Sequence, residues 1–159
     1  MSSIDPIRAL IEEHAALSQL FARHQMALVA RSWARAARLL KRYQERLHNR
    51  IMLEERFLLP YCVKSHIPGH WQVYVTEHQL LEEILESASR RLAAARRRGI
   101  TNATLIALLD EEKTAKYALE HHLKQEDMEF SITLGQTLPD EVRKSLVHVL
   151  VSTGNDTLA

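Results

Sequence analysis

Cysteine, glycine and proline are scarce in this 159-residue chain, at one, four and four. The lone Cys62 excludes an intrachain disulfide and any cysteine-based metal cluster. So few turn-forming residues exclude an all-β chain with its many tight turns and fit a small number of long helices. No stretch approaches the about 18 uncharged apolar residues of a membrane span. Neither sign of charge dominates, with 21 Lys and Arg against 20 Asp and Glu. That balance argues against a uniformly basic nucleic-acid binder, though not against a local basic patch. The opening residues MSSIDPIRALIEEH hold no cationic segment followed by an apolar run. No secretory leader is therefore expected, and a cytoplasmic, reducing setting is.

What the chain does have is 46% hydrophobic and 26% charged residues, the make-up of an ordinary globular domain, together with nine histidines. Pro68-Gly69, Gly99, Gly135 and Pro139 punctuate long segments in which apolar residues recur three and four apart. The first helix is expected over residues 5–28, with Asp5 as N-cap and Pro6 at the first position; its stripe is Ile7, Leu10, His14, Leu17, Phe21, His24, Leu28. The second is expected over 32–64 with Ala36, Leu40, Tyr43, Leu47, Arg50, Glu54, Phe57 and Leu58 facing inward, and Pro60 should kink or end it. The third, over 70–97, carries Tyr74, His78, Leu81, Leu85, Ala88 and Leu92; the fourth, over 102–133, carries Leu105, Leu108, Ala115, Leu119, His122, Glu126 and Phe130. Short connections between them predict an all-α, up-down-up-down four-helix bundle with a short fifth C-terminal helix over 138–150. The chain reads as one domain over 1–150, followed by a polar tail at 151–159 that should fray.

Five polar side chains sit on these apolar stripes: His14, Glu54, His78, His122 and Glu126. In an antiparallel bundle each lies roughly seven to eleven residues from the same end, so at 1.5 Å rise per residue they reach one level within a few ångströms. A carboxylate buried alone is costly, and two together repel; a multivalent cation removes both costs. Imidazole with carboxylate is a ligand set for iron, zinc or manganese, and the mixed set inside a bundle suits non-haem iron.

The segments IEEHAAL around His14, LEERFLLP around Glu54, TEHQLLEEIL around His78 and LEHHLKQEDMEF around His122 and Glu126 carry a resemblance. Over residues 4–134 the pattern resembles the hemerythrin-like, or HHE cation-binding, family. The resemblance implies a four-helix bundle holding a carboxylate-bridged di-iron centre that meets O2, NO or peroxide. It also exposes a departure. The family has a histidine four residues before the helix-two glutamate and a proline six after it; counting back from Pro60 puts Arg50 in the histidine slot. Arginine stays charged and cannot ligate a metal. It can pair with Glu54 and repel a second cation. Oxygen-carrying members have a further histidine where this chain has Tyr74, a phenol that either packs or ligates ferric iron. The choices are a weakened di-iron site, a single metal, or a site lost to an Arg50–Glu54 pair. Metal retained with altered second-site occupancy, rather than reversible O2 carriage, is the expectation.

Helix two opens with Arg31, Arg35, Arg38, Arg42 and Arg46, and helix three closes with Arg90, Arg91, Arg96, Arg97 and Arg98. The bundle places both at the end opposite the polar cluster. They read either as a solvated face or as a docking patch for an acidic protein, nucleic acid or anionic membrane. No interleaved aromatics point to base stacking, which argues against nucleic acid. Three functional readings follow. The first is a cytoplasmic non-haem iron protein that senses, buffers or handles iron, O2, NO or peroxide. The second is a metal-free bundle acting as an interaction module through its arginine-rich end. The third is an iron oxidoreductase or iron-centre repair factor. No nucleophile triad or phosphate-cradling glycine loop is visible, so no catalytic side chain is assigned.

Overall fold

The computed structural model describes residues 5–155. Residues 1–4 at the start of the chain and 156–159 of the expected tail lie outside the described residues. Helix α1 spans Pro6–Val29; the Asp5 side chain accepts from the Ile7 N–H at 3.2 Å, and Pro6 takes the first position, where an N–H would have no partner anyway. The chain then turns without glycine or proline, because Arg31 adopts a left-handed φ of 56°. Helix α2 spans Trp33–Leu53. It runs on through a wide π-helical turn, Glu54–Leu58, into α3, Leu59–Lys64.

Pro60 explains that turn. It lacks the N–H that would bond the Arg56 carbonyl, and its ring crowds the preceding turn. The backbone answers by slipping one residue, so that the Leu59 N–H reaches the Glu54 carbonyl five residues back. The slip rotates everything beyond it. Phe57, expected to face inward, is 45% exposed, whereas Leu58 is buried as expected and Leu59 is buried beside it.

Helix α4 spans Trp71–Arg98 and stops at Gly99, whose φ of 86° is a conformation a side chain would strain. Helix α5 spans Asn102–Glu129, capped by the Thr101 hydroxyl accepting from the Thr104 N–H at 3.2 Å. A second π-helical turn, Phe130–Leu134, leads into the short α6, Gly135–Thr137, and then α7, Asp140–Asn155. No strand occurs among the described residues, and none of their helices is long and apolar enough to cross a membrane. The fold is all-α. Helix α1 packs on α2, α2 on α4, α4 on α5 and α5 on α1, closing a four-sided bundle, with α7 laid against α1.

The core is divided. One apolar cluster, around Leu17, Phe21, Leu40, Tyr43, Leu85 and Leu119, fills the half of the bundle near the α1–α2 and α4–α5 turns. A second, around Leu10, Leu58, Trp71, Tyr74, Phe130 and Leu134, fills the other half. Each helix passes from one cluster to the other at a polar residue: His14 lies between Leu10 and Leu17, Glu54 between Ile51 and Leu58, His78 between Tyr74 and Leu81. On α5, His122 and Glu126 separate Leu119 from Phe130.

Candidate metal centre

His14, Glu54, His78, His122 and Glu126 are all buried, none more than 3% exposed, and they meet in that intermediate layer. Glu54 is the first residue of the π-helical turn. Glu126 precedes the second such turn, and His122 lies one helical turn before it, so both point inward together. Two overlapping triads result, each with its donor atoms within 4.8 Å of one another: His78, His122, Glu126 and His14, Glu54, Glu126.

The two carboxylates straddle both triads. Glu126 Oε1 lies 3.2 Å from His78 Nε2 and 3.1 Å from His122 Nε2, while its Oε2 lies 3.4 Å from His14 Nε2. Glu54 Oε2 lies 3.2 Å from His78 Nε2, and Glu54 Oε1 lies 3.8 Å from His14 Nε2. The three imidazoles thus all aim Nε2 at Glu126, and those of His14 and His78 also at Glu54.

Their other nitrogens are held from outside. The Nδ1–H of His14 donates to Asp127 at 2.5 Å, that of His78 to Glu55 at 2.9 Å and that of His122 to Glu77 at 2.6 Å. A carboxylate on Nδ1–H fixes the ring's orientation and leaves Nε2 as the basic, ligating atom. Sequence patterning did not single out these three acids. Each is the chain neighbour of an inward residue (Glu54, His78 or Glu126), and that adjacency is the signal that could have found them.

Arg50 is also inside. It is 5% exposed, lies one turn before Glu54 and sets its Nε against Glu54 Oε1. Its guanidinium carbon lies 5.8 Å from the centre of the Phe130 ring. Burial alone would raise the Glu54 pKa, but the Arg50 guanidinium, with His14 and His78, holds the carboxyl well below its usual range. Burial would likewise lower His78; its hydrogen bonds to Glu126 and Glu54 outweigh that and raise it to about 10. Protons on the imidazoles are thus the metal-free chain's way of keeping two carboxylates in one small space. Tyr74 packs its ring edge-on against His122, centroids 5.4 Å apart, and burial pushes its phenol up, which keeps the hydroxyl protonated.

The residues fit a bound cation. His14 Nε2 is buried with no hydrogen-bond partner and aims at the two carboxylates, as a ligand atom would. Imidazole and carboxylate are also the donor set that the borderline divalent metals accept. The fit is uneven: the triad of His78, His122 and Glu126 is free of competitors, whereas Glu54 Oε1 in the other faces Arg50. Replacing Glu77 by Gln should weaken metal binding about 10- to 100-fold by loosening His122, which competition with a chromogenic chelator would measure.

The remaining histidines take other roles. His24 is fully buried in the far half, between the Ala36 carbonyl at 2.8 Å and Glu112 at 2.9 Å. His48 is exposed and pairs with Glu82 at 2.6 Å. Cys62 is buried, and burial pushes its thiol up to about 12, so it behaves as a small apolar group.

Neither the curated proteins nor the solved structures supply a match to this chain. Residues 5–131, which carry the whole of both triads, match the hemerythrin HHE cation binding domain. A four-helix bundle with histidine and glutamate triads between two apolar half-cores, matched over that span, belongs to the hemerythrin HHE cation-binding family.

Proposed function

We infer that this is a non-haem iron protein whose centre holds a single iron, coordinated by His78, His122 and Glu126 with Glu54 Oε2 alongside. Its role on this reading is to sense, buffer or handle iron, O2, NO or peroxide in the cytoplasm. The observation that carries the one-metal reading is the seat of Arg50: its guanidinium faces Glu54 Oε1, the oxygen that a second ion would need. A fixed positive charge there serves as the counter-charge that the second ion would otherwise bring. Iron held at the free triad would supply an electron-exchanging Lewis acid with room for a small ligand. The chain's own part is to orient His78 and His122 through Glu55 and Glu77 and to keep water out with Tyr74, Leu81 and Leu119.

Metal analysis of protein purified from iron-supplemented cells tests this. The expected content is about one iron per chain. A content near two, or zinc or manganese at full occupancy in its place, would overturn it. Binding should also release protons. His78 is protonated up to about pH 10 in the metal-free chain, so affinity should rise with pH through neutrality. The rival reading, a metal-free interaction module, is favoured by the same Arg50–Glu54 pair and predicts no metal at all.

A further inference from the structure

Two stretches of the chain are basic without any acid, and the nearest acids on α5 are Asp110 and Glu111, the latter paired with Arg91. Residues 14–44 contain six Lys and Arg and no Asp or Glu, and residues 87–109 contain five and none. Together these hold 11 of the 21 cationic residues and none of the 20 acidic ones, and all 11 are exposed. The two stretches share the far end, where α1 gives way to α2 and α4 to α5. Arg35, Arg38, Arg42, Arg96, Arg97 and Arg98 make no ion pair among the described residues. The end is preformed: the Arg31 guanidinium donates to the Asn102 side chain and ties its two loops together.

A solvated arginine face would be the ordinary explanation, and for Arg96 to Arg98 at the C-terminus of α4 the helix dipole favours it. It fails for α2. Arg35 lies in the first turn, where the dipole disfavours a cation and no acid compensates it. Arg38 and Arg42 continue its face; Arg38 has no acid three or four residues away, and Glu45, three beyond Arg42, pairs with Lys41 instead. A local rule broken without local compensation points to a use elsewhere. Beside the arginines stand three large apolar side chains that nothing covers: Met26, Val29 and Ile106, which are 70%, 62% and 60% exposed and each within a turn of the loops.

We propose that this end docks on an anionic lipid bilayer surface, the arginines on the headgroups and Met26, Val29 and Ile106 in the interface. Arginine with neighbouring aliphatic side chains is the composition of a peripheral membrane contact. A nucleic acid would use the arginines but not the aliphatics, and no exposed aromatic ring accompanies the cluster. Docked this way, the bundle stands on its far end, with the metal centre about 20 Å or more above the bilayer at 1.5 Å per residue.

Flotation of the full chain with phosphatidylcholine vesicles carrying about 30 mol% phosphatidylglycerol tests the proposal. Binding should exceed that to pure phosphatidylcholine by about tenfold or more and collapse in about 0.5 M salt. The combined substitution of Arg35, Arg38, Arg96 and Arg97 by Gln should cut it about 100-fold, with helicity and metal content unchanged. Val29→Ser, which removes apolar surface without adding charge, should weaken it without changing the salt dependence. The two tryptophans report orientation, since Trp33 begins α2 at the docking end and Trp71 begins α4 at the other. Brominated lipid should quench Trp33 in a Trp71→Phe variant and leave Trp71 unquenched in a Trp33→Phe variant. Equal binding to neutral vesicles, quenching of Trp71 instead, or tight binding to an RNA oligomer without vesicle binding would each overturn it. Because the readout is lipid and not metal, a failed one-metal reading and a failed docking reading remain separable.

Discussion

Arg50→His should raise the iron content from about one to about two per chain. The substitution does two things at once. It removes the fixed positive charge from Glu54 Oε1, and it puts an imidazole one helical turn before Glu54, on the same inward face. His14, Glu54 and Glu126 then gain the neutral nitrogen ligand their triad lacks. Arg50→Ala separates the two effects, because it removes the charge without adding a ligand. It should leave iron near one per chain and destabilise the metal-free protein by about 3 to 5 kcal/mol, the cost of stranding a buried carboxylate. Elemental analysis and a thermal melt on the three proteins decide it. Unchanged loading in the Arg50→His protein would place the second ion's obstacle elsewhere.

Glu126→Ala should abolish iron binding, with affinity falling by at least about 100-fold, the upper range for losing a mere orienting partner. Glu126 is the one side chain common to both triads, and its two oxygens face three imidazoles between them. His14→Ala provides the contrast. On the one-metal reading His14 belongs to the triad that Arg50 obstructs, so the iron at His78 and His122 should survive its loss. Equal losses in the two variants, measured by iron analysis and chelator competition, would mean that the ions are held as a pair.

The bundle was legible because axial position and helical period are both carried by the sequence itself. His14, Glu54, His78, His122 and Glu126 could be placed at one level from residue counts alone, since rise per residue does not depend on which way a side chain points. Facing is more fragile. Phe57 went astray because the slip at Pro60 adds a residue to one turn, rotating the stripe beyond it by about 100°. The outer acids were illegible for a different reason. Glu55, Glu77 and Asp127 are partly exposed and sit off the apolar stripes, so patterning assigns them to solvent; only the ring orientations of His78, His122 and His14 reveal their use. Glu112, on α5 beyond reach of the metal layer, falls on the α5 stripe between Leu108 and Ala115, and His24 meets it in the core.

The layer between the two half-cores has one more effect. Leucine-rich seams are forgiving: one rod can slide past its neighbour by a heptad and still find grease opposite grease. Here such a slide would strand acids and imidazoles against methyl groups on every side, a penalty several times that of losing one leucine contact. The costly stratum in the middle therefore works as a keyway, admitting the four rods at a single offset.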